Sequence, residues 1–131
     1  YAYVRTNSIF EKAGQEKELS EYLEGLKRSK NNNKFIEEIV VCMGDDEIVV
    51  LRKMLQLFDV LNSIANTHQT HLLSYYSWEL ANLFHTYYAN NRVINLSNLE
   101  LTKMRLLLVV LVRQALGVCL DLLGLSCPEK M

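Results

Sequence analysis

Apolar positions recur at helical spacing along most of the chain. The clearest stripe lies in residues 16–30, at Leu19, Tyr22, Leu23 and Leu26. Residues 1–13 contain no helix-breaking residue, and Gly14 follows them as glycine commonly follows the last turn of a helix. The pattern therefore predicts two helices before residue 30.

The pattern is interrupted between the second helix and Gly44. Residues 29–34 are all polar and predict an exposed loop, an insertion without functional weight. Residues 35–43 combine β-branched residues with two glutamates and lack the alternation of a half-buried strand, so we assign them to a helix. Gly44 ends this segment, and Asp45 and Asp46 form an acidic start for the next helix.

Three long helices are predicted after Gly44. The first carries Ile48, Leu51, Leu55 and Phe58, and a break near Asp59 could divide it before Val60, Leu61 and Ile64 continue the stripe. The second begins at Thr70 and ends near Asn90, and it should bury Leu73, Leu80, Leu83, Phe84 and one of Tyr87 and Tyr88. The third is opened by a capping box from Ser97 to Glu100 and runs to about Leu123, with Gly124 as its C-cap and Pro128 beyond it.

These elements add up to an all-α bundle of five or six helices in one domain that covers residues 1–131. One proline and five glycines leave few turn signals, which favours long helices over many short strands. Half of the residues are hydrophobic, enough to build a core without disulfides or metal ions.

Composition says more about the cellular compartment of the protein than about its function. The chain has 14 Lys and Arg against 15 Asp and Glu, so net charge gives no sign of a polyanionic partner. Three cysteines without close spacing indicate free thiols in a reducing cytoplasm. The longest apolar run, residues 106–112, is far shorter than the roughly 20 residues of a membrane span, so no membrane partner is expected. No signal sequence is present, and a start at Tyr1 without Met is typical of a cut or processed end.

The sequence gives only weak signals for a catalytic site or a metal site. His68 and His71 could share a helix face, with His85 further along, but no Cys or carboxylate completes a ligand set, so we expect no metal site. Cys119 could form a nucleophile with one of these histidines, yet it lies in an apolar stripe where an inert buried thiol is the usual outcome. A glycine-rich phosphate loop is also missing from the sequence. We therefore expect no catalytic residue in this chain.

Aromatic residues are concentrated in the second half: Tyr75, Tyr76, Trp78, Phe84, Tyr87 and Tyr88. Core packing would account for Phe84, Trp78 and one of the tyrosines. The end of this cluster, residues 88–92, offers a tyrosine ring and an arginine plane, the groups on which an unstacked RNA base packs. Core packing and RNA stacking both remain open from the residues alone.

Three segments resemble arginyl-tRNA synthetases. Residues 113–116 (RQAL), 121–125 (DLLGL) and 128–131 (PEKM) are similar to the end of these enzymes, which reads much like VRQVL…GLDLLGI before a terminal APERM. The opening YAYVR, followed by Ser8 and Ile9, resembles the YAHARI.SI that begins their anticodon-binding domain. Residues 76–93 are similar to their YLYELAQAFNSFYNNCRV segment. Residues 27–44 show no recognisable similarity to these motifs, Asn91 replaces a frequent cysteine, and the tetrapeptide that names this domain class is not literally present.

The resemblance implies the anticodon-binding domain of a class I synthetase, the C-terminal part of an arginine–tRNA ligase. Its partners would be arginine tRNA, rather than DNA, and the catalytic domain of the same protein. The resemblance places ATP with Mg in that catalytic domain, outside this chain, and no cofactor in this domain. Two alternatives remain: a helical scaffold or protein-interaction domain that has lost RNA binding, and the corresponding domain of another class I synthetase, against which the terminal PEKM argues.

The site residues implied by the resemblance are Tyr1, Tyr88, Arg92 and Met131. The tyrosines would stack on unpaired bases, and Arg92 would pair with a base edge or a phosphate. Met131 would supply an apolar contact and a carboxylate that accepts from a base amine. Each residue also has a structural alternative: a frayed end for Tyr1, core packing for Tyr88, a solvated helix end for Arg92 and an unstructured tail for Met131.

Charge limits the binding mode. Residues 60–131 contain five Lys or Arg and four Asp or Glu, too even a balance for attraction dominated by phosphates. We therefore expect base recognition from this domain and weak binding of tRNA by the chain alone.

Overall fold

The computed structural model describes residues 1–28 and 43–127. Within these residues the chain forms five helices and no strand: α1 Ala2–Ala13, α2 Lys17–Arg28, α3 Asp45–Thr67, α4 His71–Asn90 and α5 Leu99–Leu122. The all-α prediction is confirmed. The loop predicted for residues 29–34 and all but the last residue of the helix predicted for residues 35–43 lie outside the described residues.

Helix α5 occupies the centre of the bundle and packs against each of the four other helices. Its buried residues are Thr102, Met104, Leu106, Leu107, Leu108, Val109, Val112, Ala115, Leu116 and Cys119. A helix surrounded by partners needs apolar side chains on all sides, which explains why the longest apolar run of the sequence falls here. The one buried hydroxyl in this set, Thr102 Oγ1, donates to the backbone carbonyl of Asn95 at 2.8 Å.

Helix α3 is continuous, so the break considered near Asp59 does not occur. The face predicted to be buried is also wrong, because Leu55 is 59% and Phe58 71% exposed. The helix instead buries Val50 and Met54. Apolar residues occupy more than one face of α3, so their spacing does not single out the buried face. The stripe that enters the core also begins with a glutamate, Glu47, which a hydrophobicity pattern does not count.

Helix α4 buries Leu73, Leu80 and Phe84 as predicted, whereas Leu83 is only partly buried. Of the two adjacent tyrosines, Tyr87 is in the core and Tyr88 is partly exposed. The assignment of Trp78 to the core is wrong, since 66% of it is exposed. Tyr76 takes that role because it lies on the same face as Leu73 and Leu80, and its hydroxyl donates to the carbonyl oxygen of Lys53 at 2.9 Å.

Two predicted helix starts differ in detail. Asn98, and not Ser97, caps α5, since its side-chain oxygen accepts from the N–H of Leu101 at 3.1 Å. Thr70 precedes α4 as predicted but makes no side-chain capping bond. The glutamate bond that was predicted for a capping box at α5 occurs instead at α3, where the Glu47 side chain accepts from the backbone N–H of Gly44 at 3.1 Å.

The predicted C-terminal glycines behave differently. Gly14 follows α1 with a right-handed helical backbone (φ −66°). Gly124 follows α5 with φ +71°, and its N–H donates to the carbonyl of Asp121 while the N–H of Leu125 donates to Leu120. This pair of bonds is the Schellman arrangement, which requires a residue that tolerates the left-handed region.

Among the described residues, Cys119 is buried, Cys127 is partly buried, and both carry free thiols; Cys42 lies outside them. None of the five described helices combines the length and the apolar character of a membrane span. No group of three metal-ligating side chains gathers within residues 1–28 and 43–127.

Candidate nucleic-acid interface

Helices α1 and α4 lie side by side. Contacts one turn apart on α1 meet residues about one turn apart on α4, in the same order, which shows that the two helices run in the same direction. The Tyr1 ring lies 5.1 Å from the ring of His85, centroid to centroid. One turn further along α1, the guanidinium carbon of Arg5 lies 5.2 Å from the Tyr88 ring centroid. This pairing places Tyr1 and Tyr88 on one surface, as a shared role requires.

Arg5 links the two tyrosines. Its guanidinium carbon also lies 5.1 Å from the Tyr1 ring centroid, and the group donates to the Tyr1 hydroxyl. Both distances fall within the range of cation–π attraction. Tyr1 remains 66% exposed, so most of its surface is open to a ligand. We call Tyr1, Arg5, His85 and Tyr88 the aromatic–arginine cluster.

A groove of about 680 Å³ begins beside this cluster and continues along the turn after α4. Its lining is Ile9, Lys12, Gln15, Glu16, Tyr88, Ala89, Asn90, Asn91, Arg92, Val93, Ile94 and Leu96. Tyr88 and the exposed Arg92 therefore share one cavity, with Lys12 as a second cation at its edge. The structure brings three of the four candidate residues to one continuous surface.

The fourth candidate, Met131, lies outside the described residues. The end of α5 nevertheless approaches Tyr1, because α1 and α5 are antiparallel. Tyr3 near the start of α1 contacts the Gly117 position late in α5, whereas Thr6 accepts from Arg113 at 3.1 Å, one turn earlier. The end of α5 is thus directed toward the end of the bundle that carries Tyr1.

The turn that carries Arg92 is held by a polar network that starts at the buried carboxylate of Glu47 and extends to the surface. The carboxylate of Glu47 accepts from Tyr87 Oη and Arg105 Nε, each at 3.0 Å. Arg105 Nη1 donates to the carbonyl of Arg92 at 2.9 Å, and Nη2 donates to Asn91 Oδ1 at 3.1 Å. Burial and the Glu47 charge raise the pKa of Tyr87, so its hydroxyl stays a donor.

His85 is the one histidine of the cluster. Burial and the nearby charge of Arg5 lower its pKa from the ordinary 6.5. A neutral imidazole is consequently favoured near pH 7, and its ring supports Tyr1 without adding positive charge.

Sequence reasoning missed Arg5, Glu47 and Arg105, and it considered His85 without placing it at this site. Arg5 lies within the quoted opening motif, and its spacing of four residues from Tyr1 was a usable signal. Glu47 is the third residue after Gly44, a spacing that indicates a capping role. Nothing in the linear pattern connects Arg105 with a turn 13 residues earlier, because that contact depends on helix packing.

The chain resembles known proteins along its full length. The family described as DALR anticodon binding domain matches residues 1–131. The arginine–tRNA ligase of Oleidesulfovibrio alaskensis is 34% identical over 131 residues, 100% of this chain and 22% of that protein. The arginine–tRNA ligase of Dehalococcoides mccartyi is 41% identical over 90 residues, 68% of this chain and 16% of that protein. That of Listeria monocytogenes is 32% identical over 131 residues, 100% of this chain and 21% of that protein.

This chain therefore spans about a fifth of the length of the curated relatives it matches. No solved structure matches it. The full-length family match and the identity to arginine–tRNA ligases favour an anticodon-binding domain over a scaffold domain. The chain belongs to the DALR anticodon-binding domain family.

Proposed function

We propose that this chain binds the anticodon loop of arginine tRNA as the C-terminal domain of a cytoplasmic arginine–tRNA ligase. The rest of that enzyme would bind ATP with Mg and carry out the aminoacylation. The family match and the arginine–tRNA ligases among the relatives support this assignment. The structural observation that carries it is the single surface formed by the aromatic–arginine cluster and the groove at Arg92.

The two tyrosines suit unpaired bases. Tyr1 presents a mostly exposed ring, and Tyr88 lines the groove with part of its ring accessible. An aromatic ring supplies about 1–3 kcal/mol per stacked base and accepts any base. Discrimination must then come from hydrogen bonds, for which the guanidinium of Arg92 has the required donors.

Met131 completes the proposed site. The antiparallel packing of α1 and α5 supports this assignment, since it directs the end of α5 toward Tyr1. The Met131 thioether would pack on a base face.

The surface is locally basic although the chain carries a formal charge of −1. Arg5, Lys12 and Arg92 are its cations, with Glu16 at the groove edge. Three phosphate contacts, one for each of these cations of the described residues, predict a shallow salt dependence, a slope of log K against log salt of about −2 for single-stranded RNA. The chain alone should thus bind weakly, with base contacts dominant.

The proposal is tested by Tyr88→Ala and Arg92→Ala in a full-length arginine–tRNA ligase that carries this chain. Each substitution should lower kcat/KM for tRNA about tenfold to a hundredfold, the loss expected from one stacked base or paired edge. KM for arginine and ATP at saturating tRNA should not change. Tyr75→Ala is the matched control, because Tyr75 is an exposed tyrosine of α4 outside the cluster. Wild-type kcat/KM in both site variants would refute the assignment of these residues.

A further inference from the structure

We propose that Arg105 is a positioning residue for tRNA recognition: held by the buried carboxylate of Glu47, it fixes the backbone that carries Arg92. This inference rests on the proposed function, because it concerns how the same site is presented to RNA. It assigns a role to residues that do not face the groove themselves.

The first observation is the burial of the ion pair. The Glu47 side chain is 4% exposed and that of Arg105 15%, with Nε and Oε1 3.0 Å apart. The carboxylate accepts three hydrogen bonds, from Arg105, Tyr87 and the backbone N–H of Gly44. A buried carboxylate that accepts from three donors holds those donors in fixed directions.

The second observation is that the Arg105 guanidinium donates hydrogen bonds to three separate groups. Each of its three nitrogens contacts a different group: Nε the Glu47 carboxylate on α3, Nη1 the Arg92 carbonyl and Nη2 the Asn91 side chain. One planar group on α5 therefore ties α3 to the turn after α4. A lysine could pair with Glu47, but it lacks the rigid fork that reaches the turn at the same time.

The third observation is that the turn is anchored on both sides of Arg92. Asn91 Nδ2 donates to Asp46 Oδ2 at 2.9 Å, and Val93 is 3% exposed in the core. Arg92 itself is exposed and lines the groove beside Tyr88. The backbone on both sides of Arg92 is thus held in place while the Arg92 side chain stays available to a ligand, the arrangement of a positioned binding residue.

A purely structural role for the pair predicts something different. Buried ion pairs often add little net stability compared with apolar packing, so stability alone does not explain the contacts to the turn. If those contacts position Arg92, weakening them should impair tRNA binding beyond any loss of stability, and the effect should depend on Arg92.

The test is Arg105→Lys in a full-length arginine–tRNA ligase that carries this chain. We expect KM for tRNA to rise about tenfold, which corresponds to ~1.4 kcal/mol of lost interaction, with kcat at saturating tRNA unchanged. Lys103→Met is the control, since Lys103 lies on the same helix and pairs with Glu18 and Glu100, away from the turn. That variant should keep the wild-type KM even where its melting temperature falls as far as that of Arg105→Lys.

A double-mutant cycle with Arg92→Ala decides between positioning and stability. Positioning predicts that Arg105→Lys has a much smaller effect on KM when Arg92 is already absent. Additive effects, or an unchanged KM in Arg105→Lys, would overturn the inference. An unchanged KM in Arg92→Ala alone would instead contradict the role that the proposed function gives to Arg92, so the two failures are distinguishable.

Asn91→Ala covers the case in which Arg105→Lys does not fold. It removes the hydrogen bonds to Asp46, to the Tyr87 carbonyl and to Arg105 Nη2 while the Glu47–Arg105 pair stays intact. A rise in KM for tRNA of about threefold or more is expected, the effect of losing about one hydrogen bond. A wild-type KM in this variant would overturn the positioning role.

Discussion

Tyr87 and Tyr88 are adjacent, yet the structure gives them different roles, so truncating each to alanine separates packing from recognition. Tyr87 is 3% exposed, and its hydroxyl donates to Glu47 at 3.0 Å. Tyr88 is partly exposed; its ring lies 6.3 Å from the Phe84 ring and 5.2 Å from the Arg5 guanidinium carbon.

The expected stability losses follow from these contacts. Tyr87→Ala removes a fully buried aromatic side chain, which costs about 3–5 kcal/mol of unfolding free energy. It also leaves Glu47 with one donor fewer. Tyr88→Ala loses one aromatic pair, about 0.5–1.5 kcal/mol, and one cation–π contact, about 0.5–1 kcal/mol. The Tyr88 variant should therefore be the more stable by at least ~0.5 kcal/mol.

The assay combines urea unfolding with RNA binding. Unfolding followed by circular dichroism gives the free energy of each variant, with the m-value as a check on two-state behaviour. Binding of an arginine-tRNA anticodon stem-loop, measured where both variants are folded, should weaken in Tyr88→Ala by about 1–3 kcal/mol. Tyr88→Phe keeps the stacking ring and should bind nearly as wild type.

Two results together would refute this reasoning. They are a Tyr88→Ala variant as unstable as Tyr87→Ala, and undiminished RNA binding by its folded fraction. Tyr88 would then be a core residue without a role in recognition, and the surface at Arg92 would have to be assigned to another purpose.

Three further predictions concern single residues. Gly124→Ala should cost about 1–2 kcal/mol in urea unfolding, because φ is +71° there and a side chain strains the left-handed region; an unchanged midpoint would contradict this account. Cys127 should react with a thiol reagent in the native protein much faster than the buried Cys119, whose pKa is raised by burial, and denaturant should expose three thiols in total. The folded pKa of His85 lies below 6.5, so the unfolded state protonates first as pH falls; stability should decrease below about pH 6.5, less so in His85→Asn, and an NMR pKa at or above 6.5 would contradict the geometry.

The helical class and most helix positions could be predicted, because local signals determine them. Leu19, Leu23 and Leu26 form a stripe that periodicity detects, and Gly124 ends α5 as its sequence indicates. Helix α3 could not be oriented in this way, since apolar residues lie on several of its faces. Its buried face begins with Glu47, which depends on the distant Arg105 to be tolerated in the core.

In the candidate site, too, the contacts between residues depend on helix packing and could not be read from local sequence. Tyr1, Tyr88 and Arg92 came from a family resemblance, and no linear pattern in the chain links residue 1 with residue 88. Their meeting depends on Arg5, which contacts both rings only because α1 packs beside α4. Trp78 shows where residue type misleads. As an aromatic residue in a helix it was expected in the core, but its position along α4 places it on the solvent face.

Binding of an arginine-tRNA anticodon stem-loop to this chain tests the central claim most directly. The comparison is the same stem with a non-arginine anticodon, titrated at equal salt by fluorescence anisotropy. We expect a preference for the arginine anticodon of about tenfold or more, since each correctly read base contributes about 1–3 kcal/mol of discrimination. Equal affinity for both stem-loops, or no binding to either by the folded chain at high concentration, would contradict the proposed function.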